Sequence, residues 1–134
     1  MSFFLDASVL VEACLLNSRK FAEADALVAA GGCTSAHALA EAYATLSGDK
    51  RIRINPHDTA EMVLDCGSKL RIGVLGEAEL LELIRRAPSR GITGGSFYDA
   101  IHAETARKMA CSKIYTLNEN HFRHVAPDLE IAPL

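Results

Sequence analysis

Three carboxylates stand where chemistry is most easily done, each breaking an apolar or small-residue stretch of the 134-residue chain: Asp6, Glu41 and Asp99. Asp6 follows Phe3-Phe4-Leu5. A short apolar run of that kind reads as a strand buried on both faces of a parallel sheet. Asp6 then stands at the carboxyl end of the strand, where open α/β sheets bind ligands, although Asp is also a favoured N-cap for a helix starting near Ser8. Glu41 is the single formal charge in an alanine-rich helix from about Ser35 to Leu46. That pattern predicts a largely enclosed helix, whose carboxylate needs a partner, a metal or a solvent-filled cleft; the plain alternative is an exposed Glu on a short helix. Asp99 lies in the first turn of a helix that begins at Ser96 after Gly94-Gly95, and Ser96-x-x-Asp99 resembles a capping box.

Singly, each acid has a structural explanation. Together they occupy a strand end, a mid-helix position and a helix start, which a doubly wound sheet can bring to one edge. Crowded carboxylates repel, and one stays protonated unless a cation neutralises the group. All-oxygen ligands favour a hard ion, Mg²⁺ or Mn²⁺, over zinc. Such an ion activates water and steadies charge on a phosphoryl group.

The elements needed to position these residues can be read in order. Helices are expected over Ser8–Asn17, with Val9, Leu10, Ala13 and Leu16 as its buried stripe, and over Lys20–Ala30, ended by Gly31-Gly32. Cys33-Thr34 is a brief strand, followed by the helix that carries Glu41. Asn55-Pro56-His57-Asp58 starts a helix running to about Leu70: Asn caps, Pro takes the first turn and Asp faces the positive end of the helix dipole. A strand at Arg71–Leu75, a helix at Glu77–Ala87, the helix from Ser96 and a strand at Lys113–Thr116 follow. Leu117 to Phe122 reads as a polar loop or short helix, and Leu129–Ile131 as a last strand. Strands alternating with helices predict a single α/β domain, residues 1–134, with a parallel sheet covered on both faces.

Composition narrows the class. Apolar residues make up 49% and charged residues 23%, which excludes disorder. No apolar run approaches the roughly 18 residues of a membrane span, and no secretory signal pattern opens the chain, so a cytoplasmic protein is expected. Cys14, Cys33, Cys66 and Cys111 form no C-x-x-C pair and read as buried free thiols. A net charge of −3 means that any nucleic-acid contact must come from local patches.

Four motifs in order resemble the PIN-domain family, and within it the small VapC-type ribonuclease toxins of bacterial toxin–antitoxin pairs. They are Phe4-Leu5-Asp6-Ala7-Ser8, Ala38-Leu39-Ala40-Glu41, Gly94-Gly95-Ser96-Phe97-Tyr98-Asp99-Ala100-Ile101-His102-Ala103, and Tyr115-Thr116-Leu117-Asn118 with Phe122. The resemblance covers nearly the whole chain. It implies a Rossmann-like, five-stranded parallel sheet in order 3-2-1-4-5, with Asp6, Glu41 and Asp99 as a metal-binding acidic core for Mg²⁺ or Mn²⁺. Asn118 falls where many members carry a fourth acid, which leaves only a neutral carbonyl to bind there. Ser8 and Thr116 become hydroxyls that orient ligands or water. The implied activity is metal-assisted hydrolysis of RNA phosphodiesters to 5′-phosphate and 3′-hydroxyl ends, with homodimerisation and silencing by a small antitoxin. Lys50, Arg51, Arg53, Arg85 and Arg86 are candidate contacts to the RNA backbone, or solvated surface charge.

Other chemistries fit less well. His37, His102, His121 and His124 offer no zinc set in sequence: His121-x-x-His124 has suitable spacing but no nearby second pair. His102, one turn beyond Asp99, is expected to pack or to orient its neighbours. No G-x-S-x-G elbow or G-K-[ST] phosphate loop occurs. The remaining rival is a PIN-like module that binds RNA or protein without cutting.

Overall fold

The computed structural model describes residues 2–134. Its sheet is built from five three-residue strands: β1 (Phe3–Leu5), β2 (Cys33–Ser35), β3 (Arg71–Gly73), β4 (Lys113–Tyr115) and β5 (Glu130–Ala132). All neighbours pair in parallel, in the order β3-β2-β1-β4-β5, with Phe4 opposite both Cys33 and Ile114. The helices are α1 (Ala7–Cys14), α2 (Phe21–Ala29), α3 (Ala36–Gly48), α4 (Pro56–Ser68), α5 (Glu77–Arg86), α6 (Ser96–Lys108) and α7 (Glu119–Val125), with a 3₁₀ turn at Pro88–Arg90. No helix among the described residues is long and apolar enough to cross a membrane.

Side chains alternate across a strand, so the sheet separates two cores. Phe4 and Ile114 point into one, with Leu83, Ala103 and Phe122 from α5, α6 and α7. Leu5 points into the other, with Val9, Leu10, Val28, Ala42 and Val63 from α1 to α4. Phe4 and Leu5 are fully buried, as a central parallel strand requires. β2 and β3 lie on one side of β1, and β4 and β5 on the other. The chain leaves β1 toward α1 and leaves β4 toward α7, on opposite faces. A crevice therefore opens between their carboxyl ends, at the switch point of the sheet.

Local signals set the helix starts. Asn55 Oδ1 accepts from the Asp58 amide at 2.8 Å ahead of Pro56, and Ser35 Oγ accepts from the Ala38 amide at 2.8 Å. Gly73 ends β3 against α6, where a Cβ would run into Met109 and Thr105.

Several expectations need correction. α1 stops at Cys14, and Leu16 is exposed because the chain turns through Leu15–Ser18 before α2. β3 is shorter than Arg71–Leu75, since Val74 and Leu75 already lead into α5. α3 is not enclosed: Ala38, Ala42 and Leu46 are buried, while Ala40, Tyr43 and Ala44 face outward. Its missing charges reflect an uncharged exposed face, not burial.

Candidate functional site

Asp6 satisfies both of its sequence readings at once. It is the residue after β1 and also the N-cap of α1. Its Oδ1 accepts from the Val9 amide at 3.2 Å and from Ser8 Oγ at 2.6 Å, and its Oδ2 accepts from Thr116 Oγ1 at 2.7 Å. Each hydroxyl is itself held by an amide of the β4–α7 loop: Leu117 N–H donates to Ser8 Oγ, and Asn118 N–H to Thr116 Oγ1. Two relays therefore tie β4 to β1 through one carboxylate that is 4% exposed. Burial pushes the Asp6 carboxyl up from its ordinary value, and the hydrogen bonds from Ser8, Thr116 and Val9 pull it part of the way back.

Glu41 is held by different chemistry. Its Oε1 lies 2.9 Å from His37 Nε2, one turn earlier on α3, and 3.2 Å from His102 Nε2 on α6. His102 is 2% exposed and sits between the rings of Phe4 and Phe122. Its Nδ1 meets Ser35 Oγ at 3.0 Å. The Glu41 carboxylate only accepts, so Nε2–H of His102 donates to it, and in the neutral imidazole Nδ1 then accepts from the Ser35 hydroxyl. His37 stacks on Tyr98, with ring centroids 5.4 Å apart. The hydrogen bond from His102 is the largest influence holding the Glu41 carboxyl below its ordinary value; partial burial opposes it.

Asp99 does not cap α6. Gly95 occupies the N-cap, Gly94 takes the positive φ of +59° that the turn requires, and Ser96 Oγ bonds to Thr93. The Asp99 carboxylate is left facing a cleft of about 600 Å³ together with Glu41, Tyr98, Asn120, His121 and His124. The His121 imidazole lies 3.7 Å from it. Burial raises the Asp99 carboxyl; His121 and His102 oppose this, and the charges of Asp6 and Glu41 add to it.

The remaining sequence candidates are placed less uniformly. Asn118 precedes α7 and lines an adjoining hollow with Asn120 and His121. Lys50, Arg51 and Arg53 lie in the exposed α3–α4 connection, away from the cleft, and Arg51 is taken up by Asp49. Arg85 pairs with Glu82. Arg86 lines a groove with Arg90 and Arg107, which meets the acidic cleft at His124. In sequence Arg90, just beyond Arg85 and Arg86, reads only as a cation suited to the helix end, and Arg107 was not singled out, because nothing in the chain marks it as a neighbour of Arg86. The histidine pair on Glu41 was also missed. His37-x-x-x-Glu41 is a one-face helical spacing, but His102 joins it only through the fold.

Asp6, Glu41 and Asp99 offer the oxygen donors that a hard divalent cation takes, although their donor atoms are not gathered within 4.8 Å of one another among the described residues. Asp6 and Asp99 both have raised carboxyls, and a bound cation would relieve the repulsion that Asp6 and Glu41 add at Asp99. The PIN domain profile matches residues 3–127. The chain belongs to the PIN-domain family. No curated protein matches it significantly. Among solved structures, this PIN domain resembles VapC20 of Mycobacterium tuberculosis, a sarcin–ricin-loop-cleaving toxin. The TM-score is 0.70 at 17% identity, over 98% of this chain and 100% of that one. VapBC2 from Rickettsia felis, bound to a DNA fragment from its promoter, is similar at TM-score 0.70 and 19% identity, over 100% and 99% of the two chains. PAE2754 from Pyrobaculum aerophilum gives TM-score 0.66 at 21% identity, over 98% and 87%. At these identities the likeness speaks for the fold, which is the five-stranded order expected of a PIN domain.

Proposed function

We propose that this PIN domain is a metal-dependent endoribonuclease and the toxin of a toxin–antitoxin pair. The observation that carries the reading is Glu41 and Asp99 facing one cleft, beside the buried Asp6, at the switch point of the sheet. Asp6, Glu41 and Asp99 would hold Mg²⁺ or Mn²⁺, with the neutral carbonyl of Asn118 as a further donor. The bound ion supplies an activated water and neutralises charge building on the phosphoryl group.

The chain's own side chains do the rest. Ser8 and Thr116 fix both oxygens of Asp6, so its orientation is set before any ligand arrives. His102 and His37 keep Glu41 ionised at neutral pH. Asp99, with no side-chain hydrogen bond among the described residues, is free to turn toward a ligand. Arg86 and Arg90 line the route by which an RNA backbone would leave the cleft past His124, beside Arg107, whose guanidinium is held by Asp128 and Glu104. Lys50, Arg51, Arg53 and Arg85, further off, would contribute at most outlying phosphate contacts.

A small antitoxin and a second copy of the chain belong to the same reading. The VapBC2 complex bound to promoter DNA supports a protein partner. The uncharged outer face of α3, with Ala40, Tyr43 and Ala44, offers a surface of the right kind. A single domain over residues 1–134 acting in the cytoplasm belongs to the same proposal.

Incubating total cellular RNA with the purified protein in Mg²⁺, Mn²⁺ or EDTA, beside Asp99→Asn, tests the assignment. Discrete fragments that need metal and vanish in the variant are expected. Uncut RNA with well-folded, antitoxin-free protein would favour a PIN module that binds without cutting.

A further inference from the structure

Among the described residues, one group of three potential ligands has all its donor atoms within 4.8 Å of one another, and it is not the acidic trio: it is His37, Glu41 and His102. We infer that these three residues form a separate site for a borderline transition ion, Zn²⁺ in the first instance, which competes with the acidic core for Glu41.

The geometry is close to what such an ion needs. A tetrahedral zinc with bonds of about 2.0–2.1 Å sets its ligand atoms roughly 3.3 Å apart. The two imidazole nitrogens stand 2.9 and 3.2 Å from Glu41 Oε1, so a modest widening admits the ion. The site is also built around its ligands. His102 is buried, and Ser35 Oγ grips its far nitrogen, the arrangement that orients a metal-binding histidine. On metal binding the His102 imidazole takes its other tautomer: the proton leaves Nε2 and one is taken up at Nδ1, which donates to Ser35 Oγ as the serine hydroxyl turns away. His37 is backed by the Tyr98 ring, and its i, i+4 spacing from Glu41 puts both donors on one helix face. The cleft lies on the open side of Glu41, leaving room for water as a fourth ligand.

Ligand chemistry separates the two sites. Imidazole suits zinc, cobalt and nickel, whereas Mg²⁺ demands oxygen. An ion held by His37 and His102 draws Glu41 away from Asp6 and Asp99. On the ribonuclease reading, Zn²⁺ is then an inhibitor of Mg²⁺-dependent cleavage.

The site itself is tested without RNA. Zn²⁺ is titrated calorimetrically into the reduced, full-length protein, and Co²⁺ is followed by its visible ligand-field absorption. Wild type, His37→Ala and His121→Ala are compared. His37 is half-exposed on α3, so its replacement leaves the core intact. One Zn²⁺ per chain is expected, with millimolar Mg²⁺ weakening the binding without abolishing it, because both ions call on Glu41. His37→Ala should weaken binding by more than about 100-fold, beyond the loss of an outer-shell partner. His121→Ala should bind as wild type does. Absence of zinc binding, equal binding by His37→Ala, or loss in His121→Ala would each overturn the proposal. In cleavage assays, Zn²⁺ should inhibit wild type at far lower concentration than His37→Ala. RNA left uncut by every protein would sink the ribonuclease reading, while the binding data would still decide the zinc site.

Discussion

Asp6 and Glu41 are carboxylates of the same candidate site, yet the molecule holds them by opposite means. At the strand edge, Asp6 is buried and clamped by two hydroxyls and an amide, neutral donors that only partly offset the cost of burying its charge. At the helix face, Glu41 is 37% exposed and gripped by two imidazoles, which favour its charged form. One region is a rigid anchor carrying electrostatic strain. The other is a half-open jaw with affinity for cations of its own. A metal site assembled from both would owe its geometry to Asp6 and its accessibility to Glu41 and Asp99.

The largest effect expected is on catalysis. Asp99→Asn should cut metal-dependent RNA cleavage by more than about 100-fold, exceeding the loss of an outer-shell partner. Thr116→Val, which removes a hydroxyl that only orients Asp6, should reduce metal affinity or rate by about 10- to 100-fold. It also leaves Asp6 Oδ2 and the Asn118 amide short of a partner, at a cost of roughly 1–3 kcal/mol. Urea unfolding of the metal-free protein reads that loss.

A sharper test of the comparison uses opposite signs in thermal melts without metal. The Asp99 carboxyl is raised in the fold. Its contribution to stability is therefore present below the ordinary value of 3.8 and is lost as pH rises through the folded-state value. At neutral pH the charge is a burden, and Asp99→Asn should raise Tm by about a few degrees. Glu41 is lowered, so its contribution is present above the ordinary 4.5 and is lost as pH falls through the folded-state value. Glu41→Gln should accordingly lower Tm at neutral pH, and the difference from wild type should shrink in acid. Equal signs for the two variants would erase the distinction between anchor and jaw.

The smallest effects belong to the basic residues. Arg86→Ala should reduce the slope of log RNA affinity against log salt by about one phosphate contact. Arg51→Ala should leave both the slope and Tm unchanged, because its guanidinium is committed to Asp49 on an exposed connection.

Local physics made much of this legible. A three-residue apolar run ending in Asp6 specified a central strand and its cap, since burial and N-capping both act within a few residues. Asn55-Pro56 started α4 as expected for the same reason. The parallel sheet and the placing of Asp6, Glu41 and Asp99 on three separate elements were readable from the alternation of strands and helices, while the strand order came from the family resemblance.

Contacts between distant residues were not. Thr116 reaches Asp6 across 110 positions, and His102 reaches Glu41 across 61. Neither partner is marked by spacing, because the sheet order and the packing of α6 against α3 decide the meeting. The same holds for α3, where the absence of charge was compatible with enclosure or with an apolar outer face, and only packing chose between them. By itself, the sequence determined the elements and the acids they carry. Tertiary structure decided which hydroxyl, amide and imidazole groups surround each acid, and through that the direction in which each carboxyl is shifted from its ordinary value.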